Sequence, residues 1–220
     1  MIPQSFPGSF TDEQGTEALT WRFVPAATRW GPSYDIRATI RGADVSGWDF
    51  DVLKPVDAHA AAAAGLRPDA YGHLESCVLS GDLPCTVERP GGDPLSTIRF
   101  TLDLREDVSA PNETPLRLSI GIAGKAYETE AEDFEDGLLG LAAALPDGVR
   151  LRSCVTCLLS DYSPAGKGLM GIRCHRGARE QYLAVTRKAE YWPVPVTELV
   201  PETYLCGEFE PRVPGTGYRG

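Results

Sequence analysis

Apolar side chains recur at every second position through two long stretches of this chain. Ile98, Phe100, Leu102 and Leu104 fall on one side of any extended segment, and so do Leu116, Leu118, Ile120 and Ile122. A backbone with that period buries one face and wets the other, which commits the chain to antiparallel strands with one covered side. The same alternation marks Thr20-Trp21-Arg22-Phe23-Val24 and residues 34–41. Trp48, Phe50 and Val52 repeat it after the turn-prone Ser46-Gly47. Shorter strand-like stretches lie at 74–79, 85–88, 149–152 and 181–186.

Two segments read differently. Residues 56–66 hold an alanine run that ends at Gly65, which predicts a short helix. In residues 132–145, Phe134, Leu138, Leu141 and Leu145 are spaced by four, three and four, the period of an amphipathic helix. Glu128, Glu130, Glu132, Asp133, Glu135 and Asp136 crowd its start, where the helix dipole favours carboxylates, and Pro146-Asp147-Gly148 stops it. Residues 106–114 read as a polar hairpin loop. Its Asn112-Glu113-Thr114 fits a glycosylation acceptor, which is accidental in a chain without a secretory signal. The expected fold class is α+β: an irregular lead-in over 1–20, a strand-rich body over 21–148 with one helix packed on it, and a cysteine-rich region over 149–220 continuous with that body.

The chain has 220 residues, of which 42% are hydrophobic, enough for a sizeable core. No apolar run reaches about 18 residues, and the first residues lack a basic start and apolar stretch, so a cytoplasmic protein with no membrane span is expected. The net charge of −10 is uneven: residues 1–150 carry −12 and residues 151–220 carry +2. An acidic body repels nucleic acid and lipid headgroups and attracts a basic protein.

Six cysteines in 220 residues are too sparse for a disulfide scaffold. Four of them are spaced like metal ligands. Cys154-Val155-Thr156-Cys157 is a Cys-x-x-Cys knuckle, whose gap lets both thiolates reach one ion, and Cys174 and Cys206 follow at distances suited to closing a tetrahedron. The expectation is a structural Zn²⁺ on Cys154, Cys157, Cys174 and Cys206. A closed four-thiolate shell leaves no open position for substrate. His175 is a poorer fourth ligand than Cys206, because adjacent residues of an extended chain point to opposite sides; it reads as a surface histidine in a basic loop. Cys77 and Cys85 flank Ser80-Gly81-Asp82 and read as two core thiols brought close by a hairpin.

Rival chemistries find less in the sequence. A dithiol redox centre needs a helix after the first cysteine, and Leu158-Leu159-Ser160-Asp161-Tyr162-Ser163-Pro164 is turn-prone. No Gly-x-Ser-x-Gly, phosphate-binding glycine loop or His-Glu-x-x-His occurs. Residues 167–188 carry a local net charge of +5, which suits either nucleic acid or the protein's own acidic half.

The segment Cys154-x-x-Cys157-Leu158-Leu159-Ser160-Asp161-Tyr162-Ser163-Pro164, with Cys174, Glu202-Thr203-Tyr204-Leu205-Cys206 and the closing Pro214-Gly215-Thr216-Gly217-Tyr218-Arg219-Gly220, resembles the signature of an uncharacterised bacterial family found mainly in actinomycetes, a domain of unknown function. The specific likeness covers the last 90 or so residues, with a looser one in the strand-rich front. It implies a bacterial origin and one cysteine set, and no activity. The leading expectation is a non-enzymatic binding or adaptor protein with a structural zinc site, of the kind that inhibits a basic partner as an immunity protein does. The alternatives are a thiol-redox or metal-dependent enzyme, and a zinc protein that contacts nucleic acid through residues 167–188.

Overall fold

The computed structural model describes every residue except Trp30, Asp93, 106–114, 166, 167, Pro214 and 217–220. The expected loop over 106–114, Lys167 and the last four residues therefore lie outside the described residues.

The period-two stretches form one antiparallel sheet of ten strands among the described residues. Its path in space is β5 (Lys54–Pro55), β4 (Ala43–Gly47), β3 (Gly31–Ile40), β2 (Gly15–Thr28), β1 (Gln4–Asp12), β6 (Val78–Glu88), β7 (Leu95–Asp103), β8 (Leu116–Ile122) and β9 (Lys125–Ala131). A short β10 (Arg150–Arg152) pairs with the far end of β6. Ile98, Phe100 and Leu102 of β7 and Leu116, Leu118 and Ile120 of β8 are all buried on one side. The ladder places Ile98 against Ile120 and Phe100 against Leu118. Ala123 and Gly124, both at positive φ, make the two-residue hairpin turn into β9.

Helix α1 (Ala58–Ala63) sits within the expected alanine-rich stretch. Helix α2 (Phe134–Ala144) forms where the 4-3-4 spacing placed it, capped by the Asp133 carboxylate, which accepts the Asp136 backbone N–H at 2.9 Å. Gly137 lies against Leu118, so the helix closes tightly on β8. Glu128 and Glu130 belong to β9 and not to the helix start. Only Glu135 and Asp136 stand in its first turn.

Aromatic rings run through the core from sheet to helix. Trp21 meets Phe50 at 5.1 Å between centroids, Phe50 meets Phe100 at 4.7 Å, and Phe100 meets Phe134 of α2 at 5.7 Å. Burying each such ring contributes about 1.5–3 kcal/mol. The Trp21 indole N–H donates to the Ser80 carbonyl at 2.7 Å across the strand between them. It reaches that oxygen because β1 has a glycine there: a Cβ on Gly8 would stand 2.2 Å from Trp21 Nε1 and 2.3 Å from Ser80 O.

Several sequence expectations are corrected here. Residues 1–20 are not an irregular lead-in, since β1 and the start of β2 occupy most of them. Ser80-Gly81-Asp82 is no turn. It lies inside the continuous β6, where Gly81 pairs with Gly8 and its missing side chain makes room for Phe100, whose Cε1 would be 2.5 Å from a Cβ. Cys77, just before β6, and Cys85, within it, are therefore separated along the chain direction instead of facing across a hairpin, although both are buried free thiols. Residues 50–52 form a single 3-10 turn capped by Asp49 and not a strand. Residues 181–186 do not form a strand either: Tyr182 is buried from a short helix, α3 (Arg179–Leu183), stacked on His175.

Gly8→Ala should destabilise the chain by at least about 2–3 kcal/mol, because one of the atoms in the way is a backbone oxygen that cannot rotate aside. Gly121→Ala, on the exposed side of β8 with open space around it, should be neutral within about 0.5 kcal/mol. Urea unfolding of the two variants checks the contrast; equal midpoints would refute it.

Candidate functional site

Beyond β10 the chain builds a lobe on a second sheet, β11 (Ser160–Asp161), β12 (Ile172–Cys174) and β13 (Glu198–Val200), with helices α3 and α4 (Lys188–Tyr191) against it. The Cys-x-x-Cys knuckle is a 3-10 turn, Cys154–Thr156, at its entrance. The Ser160 hydroxyl donates back to the carbonyls of Cys154 and Cys157 and keeps the turn closed. Backbone bonds then lace it to the end of the chain: Cys154 N–H to Tyr204 O at 2.7 Å, Leu158 N–H to Glu210 O at 2.8 Å, and Arg212 N–H to Thr156 O at 3.0 Å.

All four expected ligands lie in this lobe. Cys154 and the half-buried Cys206 share a small core with Tyr162, Ile172, Val200 and Tyr204. Cys157 belongs to an adjacent core with Tyr182 and Tyr191. Cys174 ends β12, opposite Ser160. None is in a disulfide. Burial raises the Cys154 thiol pKa, and the neighbouring Cys157, Cys174 and Cys206 sulfurs raise it further. Burial also raises Cys174, against the pull of Arg176, whose Nη1 donates to its sulfur at 3.2 Å. The four thiols are thus neighbours. The closed tetrahedron expected from the spacing is a finer arrangement than this, and among the described residues no group of three or more His, Cys, Asp and Glu side chains stands ready to hold a metal ion.

His175 is not a surface residue. It is fully buried, with Nε2 at 2.8 Å from the Tyr191 hydroxyl, Nδ1 at 3.0 Å from the Pro195 carbonyl and its ring stacked on Tyr182. Burial holds its pKa below the usual histidine value. Both ring nitrogens and the ring face are thus taken up by contacts with Tyr191, Pro195 and Tyr182. The basic residues are also engaged. Arg176 pairs with Glu198 and Glu208, Arg179 with Glu210, and Arg187 with Glu190. Their acids come from the lobe itself and not from the acidic half of the chain.

The lobe is fastened to the body by a feature the sequence did not reveal. Residues 168–171 thread between the two, and successive backbone groups are gripped from different sides. Leu169 O accepts from Phe134 N–H of α2 at 2.8 Å, Met170 N–H donates to Asp49 Oδ2 of the body at 2.9 Å, and Gly171 N–H donates to Glu202 Oε1 of the lobe at 2.6 Å. Tyr162 OH adds a bond to Glu202 Oε1 at 2.7 Å. Both carboxyls are fully buried, and the Tyr34 hydroxyl beside them has no hydrogen-bond partner among the described residues. Burial, and then the charge of Asp51, push the Asp49 carboxyl up to about 8, against the two backbone N–H groups that favour its charged form. Burial pushes Glu202 up to about 7.

The sequence profile of a family of unknown function, DUF6304, matches residues 4–160. The chain belongs to that family. The match spans the large sheet and ends just past the knuckle, so it includes Cys154 and Cys157 and stops short of Cys174 and Cys206. The likeness read from the sequence lies mainly in the last 90 or so residues, whereas the family match covers the front of the chain and overlaps that stretch only up to residue 160. No match was found among curated proteins or solved structures. Among the described residues no helix is long and apolar enough to cross a membrane.

Asp49 and Glu202 left little signal in the sequence, since a carboxylate at an ordinary polar position looks the same whether solvated or sealed. The one hint was Glu202 inside Glu202-Thr203-Tyr204-Leu205-Cys206. Each of the two carboxyls keeps its proton to higher pH in the folded chain than in the unfolded one, so their contribution to stability is full at acid pH and is lost as the pH rises through about 7 to 8. Urea unfolding between pH 5 and pH 9 should show a loss of a few kcal/mol for the native chain. Asp49→Asn should flatten that slope even where it lowers stability overall through the lost acceptor; an unchanged slope would remove Asp49 as its source.

Proposed function

We propose that this chain is a non-enzymatic binding or adaptor protein whose C-terminal lobe is held together by a structural zinc ion on Cys154, Cys157, Cys174 and Cys206. The observation that carries the reading is that four unpaired cysteines from three separate segments gather in one small lobe. Such a lobe has little apolar core of its own, and small folds of that kind gain on the order of 10 kcal/mol from a structural metal. The Arg176 N–H to Cys174 Sγ is the sort of outer contact that steadies a metal-bound thiolate. Zinc would supply a fixed charge and a crosslink there, with no reaction of its own.

Redox catalysis fits less well. The knuckle is a three-residue turn leading into β11, with no helix start to favour a thiolate, and Cys154 and Cys157 are only 4% and 5% exposed. Contact with nucleic acid fits less well too, because Arg176, Arg179 and Arg187 are already engaged with glutamates. The acidic surplus of residues 1–150 is the physical ground for a basic protein as the partner.

Native mass spectrometry with elemental analysis tests the metal. One zinc per chain is expected, with the four thiols slow to alkylate until a chelator is added and with amide exchange then rising over 153–160 and 202–212. Cys174→Ser and Cys206→Ser should each abolish stoichiometric zinc. A metal-free chain with the same fold and the same thiol protection would end the proposal.

A further inference from the structure

A groove of about 500 Å³ opens where the lobe meets the body. One wall is α2, through Leu139 and Ala142, and the other is the segment after Cys206, through Phe209 and Pro211. Its floor is β10 together with Val155 and Thr156 of the knuckle turn. This volume lies within the range of small-molecule sites, about 300–1,000 Å³. The walls are mainly apolar, and Leu139 leaves 40% of its surface in water, which a ligand would cover.

The polar groups in the groove are unlike those of the rest of the chain. In a protein of net charge −10, its lining holds Arg150, Arg152 and Arg212 against Glu88 alone. Arg150 and Arg152 are two apart on a strand and so project to the same side, outward from the buried Leu151. Arg152 lies over the Phe209 ring, 5.0 Å from its centroid. Arg212 is fixed by Nη2, which donates to the Cys157 and Ser160 carbonyls at 2.9 and 2.5 Å; its buried Nε and Nη1 have no hydrogen-bond partner among the described residues. The Arg212 guanidinium is sealed inside the lobe beside Tyr182, so it adds positive potential behind the groove, while Arg150 and Arg152 are the cations a ligand can reach.

We propose that this groove binds a small organic carboxylate with an apolar body, the carboxylate facing the arginines of β10 and the body lying between Leu139 and Phe209. A polyanion is disfavoured by the chain's net charge of −10, whereas a single carboxylate meets mainly the nearby arginines. The proposal stands on the groove's side chains and does not depend on zinc.

Titration of ¹⁵N-labelled full-length chain with 4-phenylbutyrate, and in parallel with the neutral 4-phenylbutanol, tests it. The acid should shift amides at 150–152, 155–156 and 209–212 and bind at least about tenfold more tightly than the alcohol. The double variant Arg150→Gln, Arg152→Gln should weaken the acid by about tenfold or more. Should that variant unfold, Leu139→Glu, on the exposed side of α2, serves instead and should weaken the acid by a similar factor. Equal binding of acid and alcohol, shifts scattered elsewhere, unchanged binding by a folded variant, or no saturable shift up to roughly 10 mM acid would each overturn the proposal.

Discussion

The attachment of lobe to sheet depends on two adjacent backbone N–H groups, those of Met170 and Gly171, being held by carboxyls that come from opposite sides of the seam. Asp49 belongs to the body and Glu202 to the lobe. Apolar contact crosses the seam as well: Val155, Leu169 and Met170 join the core of the large sheet and Leu199 packs against it, while Ile172 belongs to the lobe's core. A segment passing from one core to the other carries backbone polar groups that must be paired when buried. The carboxyls supply that pairing, at a desolvation cost that shows in their raised proton affinity.

This arrangement also explains which parts of the fold were legible in the sequence. Strands β7 and β8 were readable because their apolar residues fill every second position without a gap. Helix α2 was readable because four large side chains repeat at the helical period. Strand β1 was missed because its inward positions are Phe6, Gly8 and Phe10, and the middle one is emptied to admit Trp21. Gly81 misled in the same way. A glycine flanked by serine and aspartate resembles a turn locally, yet its role is set by Phe100 on the neighbouring strand. In both places a long-range contact overrode the local pattern.

The candidate site divides along the same line. The spacing of the cysteines drew the eye because ligand chemistry restricts residue type, and the structure brings the four of them into one lobe. The seam could not, since no residue type announces that it will be sealed from water. His175 shows the limit from the other side: its basic neighbours implied a surface position, but its ring is buried against Tyr182 and Tyr191 while Arg176 pairs with Glu198.

The knuckle turn takes part in two structures at once. On its inner side Cys154 and Cys157 face the lobe's small cores; on its outer side Val155 and Thr156 line the groove against α2. The lip of that groove, residues 209–212, begins three residues after Cys206 and is laced to the turn by the Leu158–Glu210 and Arg212–Thr156 backbone bonds. A crosslink through Cys206 would therefore fix the lip as well as the lobe, since a short, hydrogen-bonded segment cannot shift far from its anchored end. Rigidity at the cysteines and shape at the groove then have a common origin in one three-residue turn.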